Sequence, residues 1–116
     1  MQIVDFAGGS AEPITAYESV ATRAIALADG EGEAHVYCLR FEAGGRIGEH
    51  PTGFGQLFLV IEGRGWVEGE EGRRVELAAG QGAWFRRGER HAKGSDHGAT
   101  VIMIQVRDLE LRPPAP

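Results

Sequence analysis

The sequence is poor in cysteine, in long apolar runs and in clustered positive charge, and each scarcity excludes a class of protein. Cys38 is the single cysteine among 116 residues, which excludes an internal disulfide and a cysteine-based zinc site. The longest apolar stretches, LFLVI and VIMI, are far too short to span a bilayer, and the N-terminus lacks the basic start and apolar core of a signal peptide. We therefore predict a soluble, cytoplasmic protein.

The charge balance indicates which partners to expect. The formal net charge is −5 and the isoelectric point is about 5.3. This balance argues against nucleic acid or an anionic membrane as a partner, because both repel an acidic protein. The arginine pairs at 73–74 and 86–87 are interleaved with acids, which favours solvated surface. A small-molecule ligand is the partner class that we expect.

Glycine is the most prominent feature of the composition, and its 18 residues separate short apolar runs. Such runs, each ending in a glycine or a charged turn, predict many short strands and an all-β sandwich or barrel. ADGEGEA and EGEEGRR are predicted to be hairpin tips, and AEPITAYES a single helical turn. The length suits one domain over residues 1–112, followed by a frayed tail at 113–116, because RPPAP cannot enter a sheet.

Two of the predicted strands are apolar on both faces. In QLFLVIEG, period-two alternation places Gln56, Phe58 and Val60 on one face and apolar residues on the other. VIMIQV repeats the pattern, with Met103 and Gln105 sharing a face. One face of such a strand can line a barrel, while the other needs a second sheet or a partner subunit to cover it. We therefore predict a homodimer, with an N-terminal strand that pairs across it.

Four polar residues lie among these apolar strands. His50 and Thr52 are two positions apart and share a face if the backbone is extended there, while Gln56 opens an apolar strand. A buried amide needs hydrogen-bond partners, because leaving it unpaired costs about 1–3 kcal/mol. His91 follows a glycine turn in RRGERHAKG.

The spacing of these residues resembles the two sequence motifs of the cupin family. The first motif runs glycine, five residues, His, one, His, three or four, Glu, six, glycine, and its places are held here by Gly44, His50, Thr52, Gln56 and Gly63. The second runs glycine, five residues, Pro, one, Gly, two, His, three, Asn, and its places are held by Gly80, Arg86, Gly88, His91 and Ser95. The resemblance covers residues 44–95 and implies a small single-domain cupin, an antiparallel β-barrel or jelly roll.

The resemblance also implies a metal centre, here in a degenerate form. Cupins usually hold one divalent metal with three histidines and one glutamate, whereas Thr52 and Gln56 replace one histidine and the glutamate in this chain. The remaining imidazoles are good ligands for transition metals, but the amide adds no negative charge to offset the cation. We predict His50, Gln56 and His91 as ligands of a weak site for one divalent metal: Zn, Fe, Ni or Mn. The alternative is a metal-free cluster that orients a small ligand or ordered water.

Five residues are predicted to line the barrel interior near this cluster: Thr52, Phe58, Arg46, Met103 and Gln105. Arg46 precedes His50 by four positions, so unbroken alternation puts both on one side, where an arginine favours a carboxylate ligand. Surface placement of Arg46 is the alternative. Cys38 is predicted to be a small buried filler.

Three functions fit these residues. The first is a cupin that binds a small molecule in the barrel, beside a degenerate or weak metal site. The second is a metal-dependent enzyme, an oxygenase or isomerase, that uses His50, Gln56 and His91 as ligands and excludes water from the metal. The third is a structural or regulatory module with an occluded barrel. No catalytic residue can be named from the sequence, because this architecture hosts many chemistries.

Overall fold

The computed structural model describes residues 1–8 and 11–112, which form ten strands. These are β1 (Gln2–Asp5), β2 (Glu12–Pro13), β3 (Arg23–Ala24), β4 (Ala28–Phe41), β5 (Arg46–Pro51), β6 (Gly55–Glu68), β7 (Arg74–Ala78), β8 (Gln81–Phe85), β9 (Arg90–Gly94) and β10 (Ala99–Leu111). In this described part of the chain, no helix is long and apolar enough to cross a membrane. The predicted all-β class is confirmed, whereas the predicted tail at 113–116 lies outside the described residues.

The strands pair antiparallel and form a jelly roll, in which β6 pairs with strands on both sides of the barrel. Neighbouring strands run β1-β8-β6-β10-β4, while β9 joins β5 to the far half of β6, where β7 also pairs. Residues 56–59 of β6 pair with β8, and residues 66–68 pair with β9. The long strand β6 therefore brings the β5–β9 pair against the inner face of the larger sheet. Strands β2 and β3 form a separate hairpin.

Apolar side chains cover both faces of β6, as its sequence predicts. The interior cluster contains Phe58, Val60, Val67, Leu77, Phe85 and Val101. The outer cluster contains Leu57, Leu59, Trp84 and Leu109, against which Val4, Phe6 and Leu27 pack. The N-terminal segment of the same chain therefore covers much of the face that the sequence assigns to a second sheet or a partner subunit. Strand β1 pairs with β8 of its own chain. Its pairing across a dimer stays a prediction.

Three local predictions are wrong. ADGEGEA is not a hairpin tip but part of the continuous strand β4. A β-bulge at Gly32, with φ of 96°, accommodates the glycines, and the chain continues in the same direction. AEPITAYES contains a turn between β2 and β3 and no helical turn. Cys38 is exposed on β4, since it lies on the outer face of that edge strand.

Candidate functional site

Strands β5 and β9 position the histidines that the sequence singles out. His50 lies directly opposite His91, and Ile47 lies opposite Lys93, so three residues of β5 span the same length as two residues of β9. This bulge breaks the alternation and puts His50, His91 and Lys93 on one side of the pair. Arg46 lies opposite Gly94 and is exposed. The prediction that Arg46 shares a side with His50 is therefore wrong, because it relied on unbroken alternation.

The barrel is open along one edge beside this pair. Strands β4 and β5 are both edge strands, and among the described residues they do not pair with each other. His50 is exposed on β5, and Tyr37, which lies opposite Met103 on the inner face of β4, is 46% exposed. Solvent therefore reaches the interior between these two strands. Phe54 stands at this opening, with its ring 5.5 Å from that of His35.

The two histidines form a row of edge-to-face ring contacts that runs into the interior. The ring centroids of His50 and His91 are 4.8 Å apart, and those of His91 and Phe85 are 4.4 Å apart, with the ring planes at 68° and 81° to each other. His91 is fully buried, whereas His50 reaches solvent and its Nδ1 lies 2.7 Å from the Gly48 carbonyl oxygen. This row of rings therefore leads from the open edge of the barrel to its core.

Lys93 lies beside His91 in the core, and the sequence predictions missed it. Its side chain is 1% exposed, and its Nζ lies 3.4 Å from His91 Nε2. The same Nζ lies 5.7 Å from the ring of Phe58 and 6.0 Å from the ring of Phe85, which is close to the upper limit for a cation–π contact. One sequence signal could have found it: the twelve lysine and arginine residues include a single lysine, and it lies two positions after His91.

Burial sets the protonation of this pair. It lowers the pKa of Lys93 to about 7. It also lowers the pKa of His91 to about 3, with smaller contributions from the charges of Lys93 and His50. His91 is therefore neutral near pH 7. Because an ammonium can only donate, Nε2 of His91 accepts and the imidazole proton lies on Nδ1.

Two buried N–H donors in this region have no acceptor within residues 1–8 and 11–112. Gln56 is 2% exposed, and its Oε1 accepts a long hydrogen bond of 3.5 Å from Gln105 Nε2, while its own Nε2 has no partner. Nδ1 of His91 also has none. Leaving a buried donor without an acceptor costs about 1–3 kcal/mol, and buried donors in folded proteins are normally paired with protein groups, a ligand or ordered water.

The other predicted lining residues are distributed around the interior. Thr52 is buried, but its hydroxyl donates to the Arg86 carbonyl oxygen and accepts from Gly88 N–H, both at 2.9 Å, so it fixes the turn between β8 and β9. Phe58 and Met103 lie opposite each other on the inner faces of β6 and β10, and Gln105 lies opposite Gln56. Contact of these residues with a ligand stays a prediction.

The residues present do not fit a divalent metal. Across residues 1–8 and 11–112, no three His, Cys, Asp or Glu side chains are placed to hold an ion together. Nε2 of His91 contacts Lys93 Nζ, and Oε1 of Gln56 accepts from Gln105 Nε2. Of the three predicted ligands, His91 contacts an ammonium group, and neither His50 nor Gln56 carries a carboxylate. Such a site is unfavourable for a divalent cation.

Two surface cavities lie elsewhere. One of about 520 Å³ is lined by Met1, Glu70, Trp84 and residues 86–89, and one of about 670 Å³ lies between β1, the β2–β3 hairpin and the end of β10. Neither includes a residue of the His50–His91–Lys93 cluster. His91 and Lys93 of this cluster are buried and His50 is exposed, so a ligand that reaches Lys93 must displace side chains or water.

Comparison with known proteins identifies the family. The family described as "Cupin domain" matches residues 37–106, which is more than half of the chain. The chain belongs to the cupin family. The match begins on β4 and ends on β10, so it contains His50, Gln56, His91 and Lys93.

Relatives of this cupin differ in how much they share with it. An (R)-mandelonitrile lyase from Granulicella tundricola is 38% identical over 68 residues, which are 59% of this chain and 52% of the lyase, so the chain spans about half the length of that relative. A cupin-like protein from Thermotoga maritima has a TM-score of 0.61 at 21% identity, covering 72% of this chain and 67% of its own. A conserved protein of unknown function from Streptococcus pyogenes has a TM-score of 0.60 at 16% identity, covering 73% and 69%. These structures support the fold alone.

Proposed function

We propose that this cupin binds a small polar molecule at the open edge of its barrel, without a metal. The molecule enters beside His50 and contacts His91, Lys93 and Gln56. The observation that carries the proposal is the set of buried donors that have no acceptor among the described residues, Gln56 Nε2 and His91 Nδ1, in the same barrel as an ammonium that contacts an imidazole and two aromatic rings. Buried polar groups are normally satisfied, so an unsatisfied set beside an opening marks the place where a ligand completes the hydrogen bonds.

An NMR screen of isotopically labelled protein against small polar molecules tests this proposal. We expect a saturable change in the signals of His50 and His91, and we expect His91→Gln to weaken the affinity by about tenfold. The matched control is His97→Gln, because His97 is exposed six residues further along the chain. If no compound shifts the His50 or His91 signals in a saturable way, the proposal is wrong.

A lyase activity is the second candidate function, and one observation favours it; whether it depends on a metal is part of the test. The relative with 38% identity is named as a mandelonitrile lyase. The test is cleavage of mandelonitrile by wild-type protein and His91→Ala, each after incubation with Zn, Fe, Ni or Mn, together with elemental mass spectrometry. Turnover that needs a stoichiometric metal and disappears with His91 would replace the metal-free binding proposal.

A homodimer remains a proposal, and the outer face of the larger sheet supports it. Val36 is 67% exposed and Ile61 is 47% exposed, although both are large apolar residues. Cys38 and Ile102, which lie opposite each other between them, extend the apolar patch. Light scattering during size-exclusion chromatography should give twice the chain mass, and Val36→Glu should give the monomer mass. The cytoplasmic location also stays a prediction.

A further inference from the structure

The cations of this chain are arranged in two different ways. Arginines make exposed ion pairs, such as Arg74 with Asp96, Arg90 with Glu49 and Arg112 with Asp29. Lys93, the single lysine, is buried, and no described carboxylate lies within ion-pair distance of its Nζ. A buried charge without a counter-ion is strongly unfavourable, so the burial of this one needs a reason.

The groups around Lys93 offer it almost no acceptors. His91 on its own strand and His50 on β5 face it, and the packed faces of β6 and β8 present Phe58 and Phe85. Nε2 of His91 takes one of the three ammonium N–H groups. Gln56 Nε2 is also buried without an acceptor, and among the described residues no carboxylate forms an ion pair with Lys93.

We propose that the ligand of this cupin carries a carboxylate that pairs with Lys93. This inference rests on the proposed function, since it names the class of molecule that the site binds. One carboxylate oxygen accepts from Lys93 Nζ and the other from Gln56 Nε2, so one planar group satisfies donors that are otherwise unpaired. The uncharged part of the molecule lies against the rings of His91 and Phe85 toward the open edge. His91 is a positioning residue, because it holds the ammonium by one N–H and leaves the others to the ligand.

A monocarboxylate suits the site better than a phosphate or sulfate. The site offers a single ammonium and neutral donors, which offset one negative charge. A dianion would bring a second charge into the barrel, and its desolvation would exceed what these donors return.

The single lysine makes the test specific. Protein grown with lysine carrying ¹³C at Cε has one labelled side chain, and its signal is followed during titration with acetate or benzoate and with the matched neutral amides, acetamide or benzamide. We expect the carboxylates to shift the Lys93 signal in a saturable way and to bind at least tenfold more tightly than the amides. Lys93→Met should remove this preference.

The outcomes separate the two proposals. If an amide binds as tightly as its carboxylate, or if Lys93→Met keeps the preference, the carboxylate inference is wrong while binding at the open edge stands. If inorganic phosphate binds more tightly than both carboxylates, the inference is also wrong. If neither class shifts the signals of Lys93, His50 or His91, the carboxylate inference and the proposed binding function fail together. Folding of Lys93→Met is checked by its amide spectrum, and Lys93→Arg, which keeps the charge, should retain the preference.

Discussion

Replacing Lys93 by methionine should stabilise this protein near neutral pH, although it removes the residue at the centre of the proposed site. Lys93 is 1% exposed, and burial lowers its pKa from 10.5 to about 7. Between these two values the unfolded chain binds more protons at this residue than the folded chain does. Stability contributed by Lys93 therefore rises as the pH rises from 7 to 10.5, and the burial penalty is largest below pH 7.

The two pKa values set the size of the effect. At about 1.4 kcal/mol per pKa unit, the buried amine lowers the free energy of unfolding by about 5 kcal/mol below pH 7, about 4 at pH 7 and about 1 at pH 10. Imperfect packing of methionine and the lost contact to His91 Nε2 together offset about 2 kcal/mol of the gain. Lys93→Met should thus raise the free energy of unfolding by about 2 kcal/mol at pH 7, and this advantage should shrink by about 3 kcal/mol between pH 7 and pH 10.

Urea unfolding at pH 6, 7, 8.5 and 10 measures both quantities. Arg40→Met is the matched control, because it removes an exposed cation from β4 and should leave the pH dependence as it is in the wild type. A Lys93→Met protein that is less stable than wild type at pH 7, with the same pH dependence, would refute the argument that a buried charge without a counter-ion destabilises this fold.

Three further results are expected. Carboxylate affinity should be constant from pH 5.5 to 6.5 and fall about tenfold per pH unit above 7, since only the protonated form of Lys93 pairs with the ligand; a flat calorimetric profile to pH 9 would contradict this. Acid should destabilise the protein through His91, because folding lowers the pKa of this residue from 6.5 to about 3. The stability that the neutral ring contributes is complete above pH 6.5 and is lost as the pH falls toward 3. His91→Gln should therefore unfold at lower pH than the wild type. Thr52→Val should lower the free energy of unfolding in urea by about 1–3 kcal/mol, because the Arg86 carbonyl oxygen loses its hydroxyl donor. Thr22→Val at the exposed hairpin is the control and should lower it by less than about 0.5 kcal/mol.

The barrel was predictable from the sequence because its central strands carry strong patterns. Strands β6, β8 and β10 contain runs of apolar residues, and glycines separate them from their neighbours. The spacing of His50 and His91 then placed both on one small barrel, and the structure puts their rings 4.8 Å apart. These features depend on residue type and separation alone, which a sequence contains.

The strands that build the site were not predictable in the same way. β5 and β9 are short and polar, so alternation gives them little signal, and the bulge between Ile47 and His50 reverses the side of every residue before it. This reversal explains why Arg46 was placed inside and why the interior cation is Lys93 instead. The commitment of the Thr52 hydroxyl to a turn 34 residues away is a tertiary contact that no local pattern contains.

Burial of the single lysine limits how the folded protein reacts with amine-specific reagents. Acylation, glycation, ubiquitin attachment and amine-directed crosslinking all need an accessible amine, and the folded chain offers no side-chain amine on its surface. The α-amine of the N-terminus is the one other primary amine of the chain. Covalent attack at Lys93 therefore needs the side chains that bury its amine to move aside, so the rate at which an amine reagent labels this residue reports how often that local opening occurs.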